Sequence, residues 1–346
     1  MARSKPLFGL DIGSSSVKAV ELKSTKHGYE LLSFGLEPLE QDTVVDGAIM
    51  DAPRVAERIT LICEAQRIKT KNVATSVSGH SVIVKRVSMP YMTEEELYDR
   101  IHSEASQHIP FDVADVNLSY QVFESTGPQM DVLLVAVKKD KILNHTSVLA
   151  QAGKSPTVVD IDAFALQNCY ELNYEHPGQI VALLNIGASV MNMNIVRDGV
   201  PLFTRDVSVG GNQYTDALQK ELDLSWEDAE RLKRGESIAG VSEEQKAAIL
   251  RSVSDILILE IQKTFDYFRA TASGENIQRI LVAGGSARVP GLLDLLREEF
   301  AVPVEELDPV RRIAINPGRH NETLLREMGP RLAIAVGLAL RSFDTP

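Results

Sequence analysis

Apolar and polar positions alternate through residues 7–37. That period of two predicts a three-stranded meander: Leu7 to Ile12, Val17 to Leu22, and Tyr29 to Leu36 after a turn at His27-Gly28. The period lengthens at Asp51 to Arg67, where Val55, Ile59, Ile62 and Cys63 form one helical stripe, and Val73 to Val77 reads as the next strand. From about residue 82 a compact unit is expected. Strand Val82 to Met89 leads through Pro90 to a capping box at Thr93-Glu94-Glu95-Glu96, which opens a helix to about Gln107. Strands Asn117 to Phe123 and Asp131 to Val137 are joined by a turn at Thr126-Gly127-Pro128. A helix from Lys139 to Ala152 stops at Gly153, and strand Thr157 to Ile161 closes a self-contained β-α-β-β-α-β module. Helix Ala163 to Leu172 then returns the chain to the larger domain.

The second half opens with another meander: Ile180 to Ile186, Val190 to Val196 and Val200 to Val207, with a hairpin turn at Arg197-Asp198-Gly199. Two helices are expected after Gly210-Gly211. The second follows the box Ser242-Glu243-Glu244-Gln245 and carries Ile249, Val253, Ile256, Leu257, Ile261, Phe265 and Phe268 on one face until Gly274. Strand Ile280 to Ala283 reaches Gly284-Gly285-Ser286, helix Gly291 to Phe300 follows, and a small-residue helix spans Arg331 to Arg341.

The two meanders share a phrase. Leu10-Asp11-Ile12-Gly13-Ser14-Ser15 recurs as Leu184-Asn185-Ile186-Gly187-Ala188-Ser189, 174 positions later. Each copy ends an apolar strand that turns sharply into another. A tip glycine leaves backbone amides open to a ligand, and small hydroxylic neighbours add donors for an anion. One copy is an ordinary turn; two in matching context predict a duplicated clamp around a polyphosphate. In the first copy Gly13, Ser14, Ser15 and Ser16 supply donors, Lys18 supplies a point charge, and Asp11 is placed to hold Mg²⁺ through water. Neither GxxxxGK[ST] nor GxGxxG occurs, which excludes the P-loop and the dinucleotide-fold grip.

Composition narrows the class. The chain has 346 residues, 44% hydrophobic and 24% charged, which suits two globular domains. A net charge of −12 argues against a nucleic-acid partner. Cys63 and Cys169 belong to no CxxC and read as buried reduced thiols, and no HxxxH pair supports a structural metal. Met1 to Lys5 lead into a strand without an apolar segment, so no signal peptide and a cytoplasmic setting are expected. Ile180 to Val196 is uncharged but contains three Asn and a Gly, and reads as two strands rather than a membrane span.

Other positions have plain readings. Glu230 and Lys233, three apart on a helix, suit a solvated pair. Gly284-Gly285-Ser286 suits close approach of a flat base or ribose, or simply a tight strand-to-helix turn. Asp160 and Asp162 lie where a strand meets a helix, and capping is the ordinary role for Asp162.

Taken together, these pieces resemble the actin-like ATPase superfamily. Asp11 to Lys18 is similar to its first phosphate loop, Asn185 to Ser189 (with Gly187 and Ala188) to its second, and Gly284 to Arg288 to its adenosine motif. Asp160 to Ala165 and Ala333 to Gly337 resemble its connecting helices, and Ala229 to Lys233 its base-contacting motif. Within the superfamily, the inserted module resembles that of FtsA and, more closely, that of the PilM family of type IV pilus assembly proteins. The PilM-like strings are Phe8 to Lys18, Ile109-Pro110-Phe111-Asp112 and Val207-Ser208-Val209-Gly210-Gly211.

The resemblance implies an α/β, actin-like fold of two duplicated domains around a nucleotide cleft. Residues 1–81, 160–178 and 329–346 would form subdomain 1A and residues 82–159 the inserted subdomain 1C. Residues 179–214 and 275–328 would form 2A, and residues 215–274 the helical 2B. It also implies ATP and Mg²⁺ as cofactors, held by the residues above with Gly211, Glu230, Lys233, Ser286 and Arg288. The implied partner is the cytoplasmic N-terminal peptide of the inner-membrane protein PilN, which would link the chain indirectly to PilO, PilP and the assembly motor. Ile109, Pro110 and Phe111 are the candidate groove, and attachment at the inner membrane would run through the partner alone.

Asn185 departs from the superfamily, which has Asp there. A neutral amide is a poor substitute for a carboxylate in ordering Mg²⁺ and water, so slow or absent hydrolysis is expected, with Asp162 as the catalytic candidate. Two alternatives stand beside the scaffold: an active ATPase or small-molecule kinase, and an FtsA-like filament protein. The second would carry an amphipathic membrane tail, whereas this sequence ends at Pro346.

Overall fold

A computed structural model describes residues 6–123, 127–272 and 274–343. Met1 to Lys5, Thr126 of the expected turn, and Pro346 lie outside the described residues. The chain begins with β1 (Phe8–Ile12), β2 (Ser16–Thr25) and β3 (Gly28–Pro38), then a short ribbon of β4 (Val44–Val45) and β5 (Ala48–Ile49), helix α1 (Ala52–Ala65) and β6 (Asn72–Val77). Next come β7 (Val82–Pro90), α2 (Glu94–Ser106), β8 (Val116–Val122), β9 (Gln129–Lys138), α3 (Lys139–Gln151), β10 (Ser155–Ile161) and α4 (Asp162–Asn173). The second half contains β11 (Val181–Ile186), β12 (Met191–Arg197), β13 (Val200–Val207), α5 (Gly211–Leu222), α6 (Trp226–Lys233), α7 (Glu243–Thr271) and β14 (Arg279–Ala283). It ends with α8 (Leu292–Phe300), β15 (Val304–Glu306), β16 (Ile313–Ala314), α9 (Glu322–Met328) and α10 (Ala333–Leu340).

Two sheets repeat one plan. In the first, ordered β10-β6-β1-β2-β3-β16, β1 pairs antiparallel with β2 on one side and parallel with β6 on the other. In the second, ordered β13-β12-β11-β14-β15, β11 pairs antiparallel with β12 and parallel with β14. The repeated phrase thus ends the equivalent strand of each sheet. Both predicted capping boxes form, at Thr93 with Glu96 and at Ser242 with Gln245, so local chemistry alone sets those helix starts.

Helices α4 and α10 join the halves. Leu166, Val336 and Leu338 share one core with Val20 and Leu22 of the first sheet and Val181 and Leu183 of the second. Each such buried side chain contributes about 1.5–3 kcal/mol over an exposed one. The crossing needs Gly337, because a Cβ there would stand 1.7 Å from the Ala165 carbonyl oxygen.

Several expectations change. The inserted unit does not close on itself. Its sheet is three-stranded, β7-β9-β8, with one face covered by Leu97, Ile101 and Ala105 of α2. β10 instead pairs in parallel with β6, and Val148 and Leu149 of α3 join the core of β1 and α1. The chain therefore rejoins the parent sheet straight after Lys138. Period and length identify a strand without naming its partner, and β6 offers β10 an open edge.

The stretch before Ser242 holds two helices, not one: Asp223 turns left-handed at φ 51°, and Ser225 caps α6 by accepting the Asp228 amide. β4, β5, β15, β16 and α9 were not expected, being too short to show a period. Ile180 to Val196 supplies β11 and most of β12, and among the described residues no helix is long and apolar enough to cross a membrane.

Candidate functional site

The two hairpins are closed by the same bond. Gly13 donates its amide to the Ser16 carbonyl at 3.1 Å, and Gly187 donates to Val190 at 3.0 Å. The tips face each other and touch, the Ser14 hydroxyl hydrogen-bonding the Ser189 hydroxyl across the halves. Ser15 is exposed and Ser16 is buried at the start of β2.

Behind each tip stands a cross-strand pair in matching register: Asp11 opposite Lys18, and Asn185 opposite Asn192. Asp11 and Lys18 form an ion pair at 3.0 Å with each side chain only 12% exposed. Lys18 thus answers Asp11 as well as facing the tip. Asn185 donates its amide to Asn192 at 2.8 Å, and Asn192 donates to Asp206 at 2.9 Å. The other oxygen of Asp206 accepts the Gly79 amide at 2.6 Å, at the entry to the inserted module.

The second hairpin is seated on the start of α5 and on the turn after β14. Gly187 O accepts Gly211 N at 2.9 Å and Ser286 Oγ at 3.0 Å, and Ala188 O accepts Asn212 N at 2.8 Å. Two amides of the α5 N-terminus are therefore spent on the hairpin. Gly284 holds φ +88°, and a Cβ there would stand 2.3 Å from the Ile186 carbonyl oxygen, so only glycine lets β14 lie this close to β11. Beside it, Lys233 bonds Glu230, Thr215 at 2.9 Å and Gly211 O at 3.2 Å. The expected solvated pair is in fact half-buried. Burial alone raises the Glu230 carboxyl, but Lys233, Thr215 and Arg234 outweigh it and lower the acid; burial lowers Lys233.

Asp162 does not cap α4. Its carboxylate accepts the Ser76 hydroxyl at 2.6 Å, while Ile161 holds the cap position without a side-chain bond. Burial, reinforced by Asp11, pushes its acid up to about 6 against the opposing Ser76 and Ser78 hydroxyls. Asp206 is also raised, by burial first. Lys141 reaches the same region from α3 and donates to Gly47 O; burial lowers it against Asp162 and Asp206. Sequence reading missed Asp206 and Lys141. Neither lies in a motif, and only folding brings β13 and α3 to the same loop.

Two expected groups are already engaged within the protein. Arg288 binds both oxygens of Glu306 and the carbonyls of Arg326 and Glu327, which commits its guanidinium to pinning α9 and β15. Ile109 is 7% exposed, in a small core with Val116 and Ala136, which takes it out of any groove; Pro110 is exposed and Phe111 half-buried beneath Lys138. Among the described residues no cluster of three or more His, Cys, Asp or Glu side chains is arranged to hold a metal ion.

The model of the family "Type IV pilus assembly protein PilM" matches residues 9–343. The chain belongs to the PilM family. A solved PilM-PilN type IV pilus biogenesis complex superimposes with a TM-score of 0.88 at 26% identity, covering 99% of this chain and 100% of that one. The cell division protein FtsA of Streptococcus pneumoniae is 23% identical over 96% of the chain and 82% of its own length. MreB5 of Spiroplasma citri bound to ADP shares the fold at a TM-score of 0.52 and 13% identity, over 97% and 95% of the two chains. This PilM-family protein therefore has the actin-like fold and is a type IV pilus assembly protein.

Proposed function

We propose that this PilM-family chain is an ATP-binding scaffold of the inner face of the inner membrane. ATP held between the hairpins would keep the two halves in register, and the inserted module with its parent sheet would receive the cytoplasmic N-terminal peptide of PilN. That peptide would connect the chain to PilO, PilP and the assembly motor. The observation that carries the reading is the pair of duplicated glycine-serine hairpins meeting at Ser14 and Ser189, beside the glycine elbow at Gly284-Gly285. The superimposed complex, whose name pairs a PilM with PilN, supports the partner.

The residues fit the implied cofactor. The Ser14 and Ser189 hydroxyls suit phosphate oxygens, and Lys18 adds charge at the same tip. Gly285 is exposed at the elbow, with the Arg331 side chain 3.8 Å or more from where a Cβ would be. Asp11 engages Lys18 through one oxygen, which leaves the other for a water of a hydrated Mg²⁺. Ligand binding across the seam stabilises the closed form by mass action without any chemistry.

The test is calorimetric titration with a synthetic PilN N-terminal peptide, with and without Mg-ATP. One-to-one binding strengthened by ATP is expected; no binding in either state sinks the scaffold reading. A slow ATPase is the second reading, favoured by the position of Asp162 beside Asp11, which gives an acid near neutrality at the cleft. Phosphate release that Asp162→Asn abolishes would support it.

A further inference from the structure

The end of the first sheet opposite the cleft gathers cations, in a chain whose balance is acidic at 36 Lys and Arg against 48 Asp and Glu. β1, β6 and β10 run parallel and begin at this end, and β2, antiparallel to β1, finishes there. The segment between α1 and β6 supplies Arg67, Lys69 and Lys71, and the β2–β3 hairpin adds Lys23 and Lys26; all of them are exposed. None forms an ion pair among the described residues. The acids that adjoin them along the chain are Glu21, which accepts the Thr70 hydroxyl at 2.7 Å, Glu30, opposite Lys23 in the ladder, and Glu64 on the last turn of α1. The backbone beneath the array is pinned. Ile68 is buried in the core of β1 and α1 and Thr70 is half-buried, so exposure alternates and turns Arg67, Lys69 and Lys71 outward. Ser155 donates its amide to Lys71 O at 2.9 Å, and Lys154 donates to Thr70 O at 3.4 Å while lying over the Phe8 ring.

We propose that this end of the molecule is a contact surface for an anionic lipid bilayer, made by Lys23, Lys26, Arg67, Lys69 and Lys71. The proposal rests on the inner-membrane placement above and deepens it, adding to attachment through a partner a direct contact that sets orientation. The cations cover the ends of β6, β1, β2 and β3, neighbouring strands that together span roughly 14 Å. They therefore present an area of charge instead of a single line. An anionic leaflet attracts such a cluster within a Debye length of its surface. The chain as a whole, at net −12, is repelled, so this is the end that meets the lipid. A protein partner is less suited to it. Protein contacts centre on a buried apolar anchor, and none of the exposed large apolar side chains among the described residues belongs to the β2–β3 hairpin or to the segment before β6. With this end on the bilayer, the cleft at the far ends of β1, β6 and β10 faces away from it.

The experiment is co-sedimentation of the full chain with vesicles of phosphatidylcholine alone or mixed equally with phosphatidylglycerol, in low salt and at about 0.5 M salt. Wild type is expected on the mixed vesicles only, and to leave them in high salt. K69E/K71E should lower that partitioning about tenfold or more with its melting temperature unchanged, because both side chains are exposed. K220E/R251E carries the same change of net charge on exposed positions of α5 and α7, and should stay within about twofold of wild type. Equal losses in the two variants overturn the proposal in favour of net charge alone. Absence of wild type from the mixed vesicles also overturns it, and capture of wild type by poly-glutamate through Lys69 and Lys71 would then assign the surface to an acidic protein. Either failure leaves the PilN peptide titration, and the scaffold reading it tests, where they stand. Vesicle binding without peptide binding would sink the scaffold and keep this surface.

Discussion

The two hairpins have the same geometry and opposite chemistry. Behind the first tip stands an ion pair, Asp11 with Lys18, which neutralises itself locally. Behind the second, at the matching register, stands the amide pair Asn185 and Asn192, which passes its polarity onward to Asp206 and then to the Gly79 amide of the other half. The asymmetry gives the neutral residue at 185 a structural reason. Asn185 must donate to Asn192 so that Asn192 can donate to Asp206; a carboxylate at 185 cannot donate and would set two acids on one amide. The duplicated fold preserved the position of each pair and let one become a charge trap and the other a relay between halves.

Removing one partner of the ion pair should have the largest effect. Lys18→Ala leaves Asp11 enclosed and unpaired, at an expected cost of about 2–4 kcal/mol by urea denaturation; a loss below about 0.5 kcal/mol would mean the pair is solvent-screened. Asp162 faces the first hairpin's carboxylate, and its raised acid gives a signed pH test. The folded pKa of about 6 lies above the ordinary value near ~3.9, so the wild type loses stability as pH rises through that window. Asp162→Asn does not ionise. It should therefore gain about 1–3 kcal/mol over wild type at pH 7–8, the gain shrinking to nothing near pH 4. A pH-independent difference would remove ionisation as the cause.

Asn185→Asp puts an acid behind both tips but without a lysine opposite the second, and should destabilise by about 1–2 kcal/mol, with Asp206→Asn recovering part of the loss in a double-mutant cycle. Strict additivity would break the relay. The smallest effect belongs to the tip contact: Ser14→Ala should cost about 0.5–1 kcal/mol, and adding Ser189→Ala little more, because either change already removes the shared bond.

Much of this contrast was legible in advance. The repeat located both tips, both strand pairs and Asn185, because a hairpin and its glycine are properties of a few consecutive residues. Asp162 was found as a candidate and its capping role was wrong, since Ser76 reaches it only once β6 and β10 pair. Arg288 was expected at the ligand by its place in a motif, and its partner in the fold, Glu306, stands on a strand no periodicity could reveal. Ile109 was read as partner-facing from its string, while its burial depends on β8 and β9 packing beside it.

What the sequence determined by itself was the set of local conformations: the strand and helix periods, the capping boxes at Thr93 and Ser242, and the two glycine tips, all governed by dihedral preference and neighbouring hydrogen bonds. What only the tertiary structure decided was which polar group answers which. Lys18 answers Asp11, Asp206 reaches Gly79 across 127 positions, β10 takes the edge of β6, and Arg331 is left without a hydrogen-bonding acceptor among the described residues. The reason is physical. A buried charge is settled by whatever packing places within a few ångströms, and that distance has no counterpart in separation along the chain.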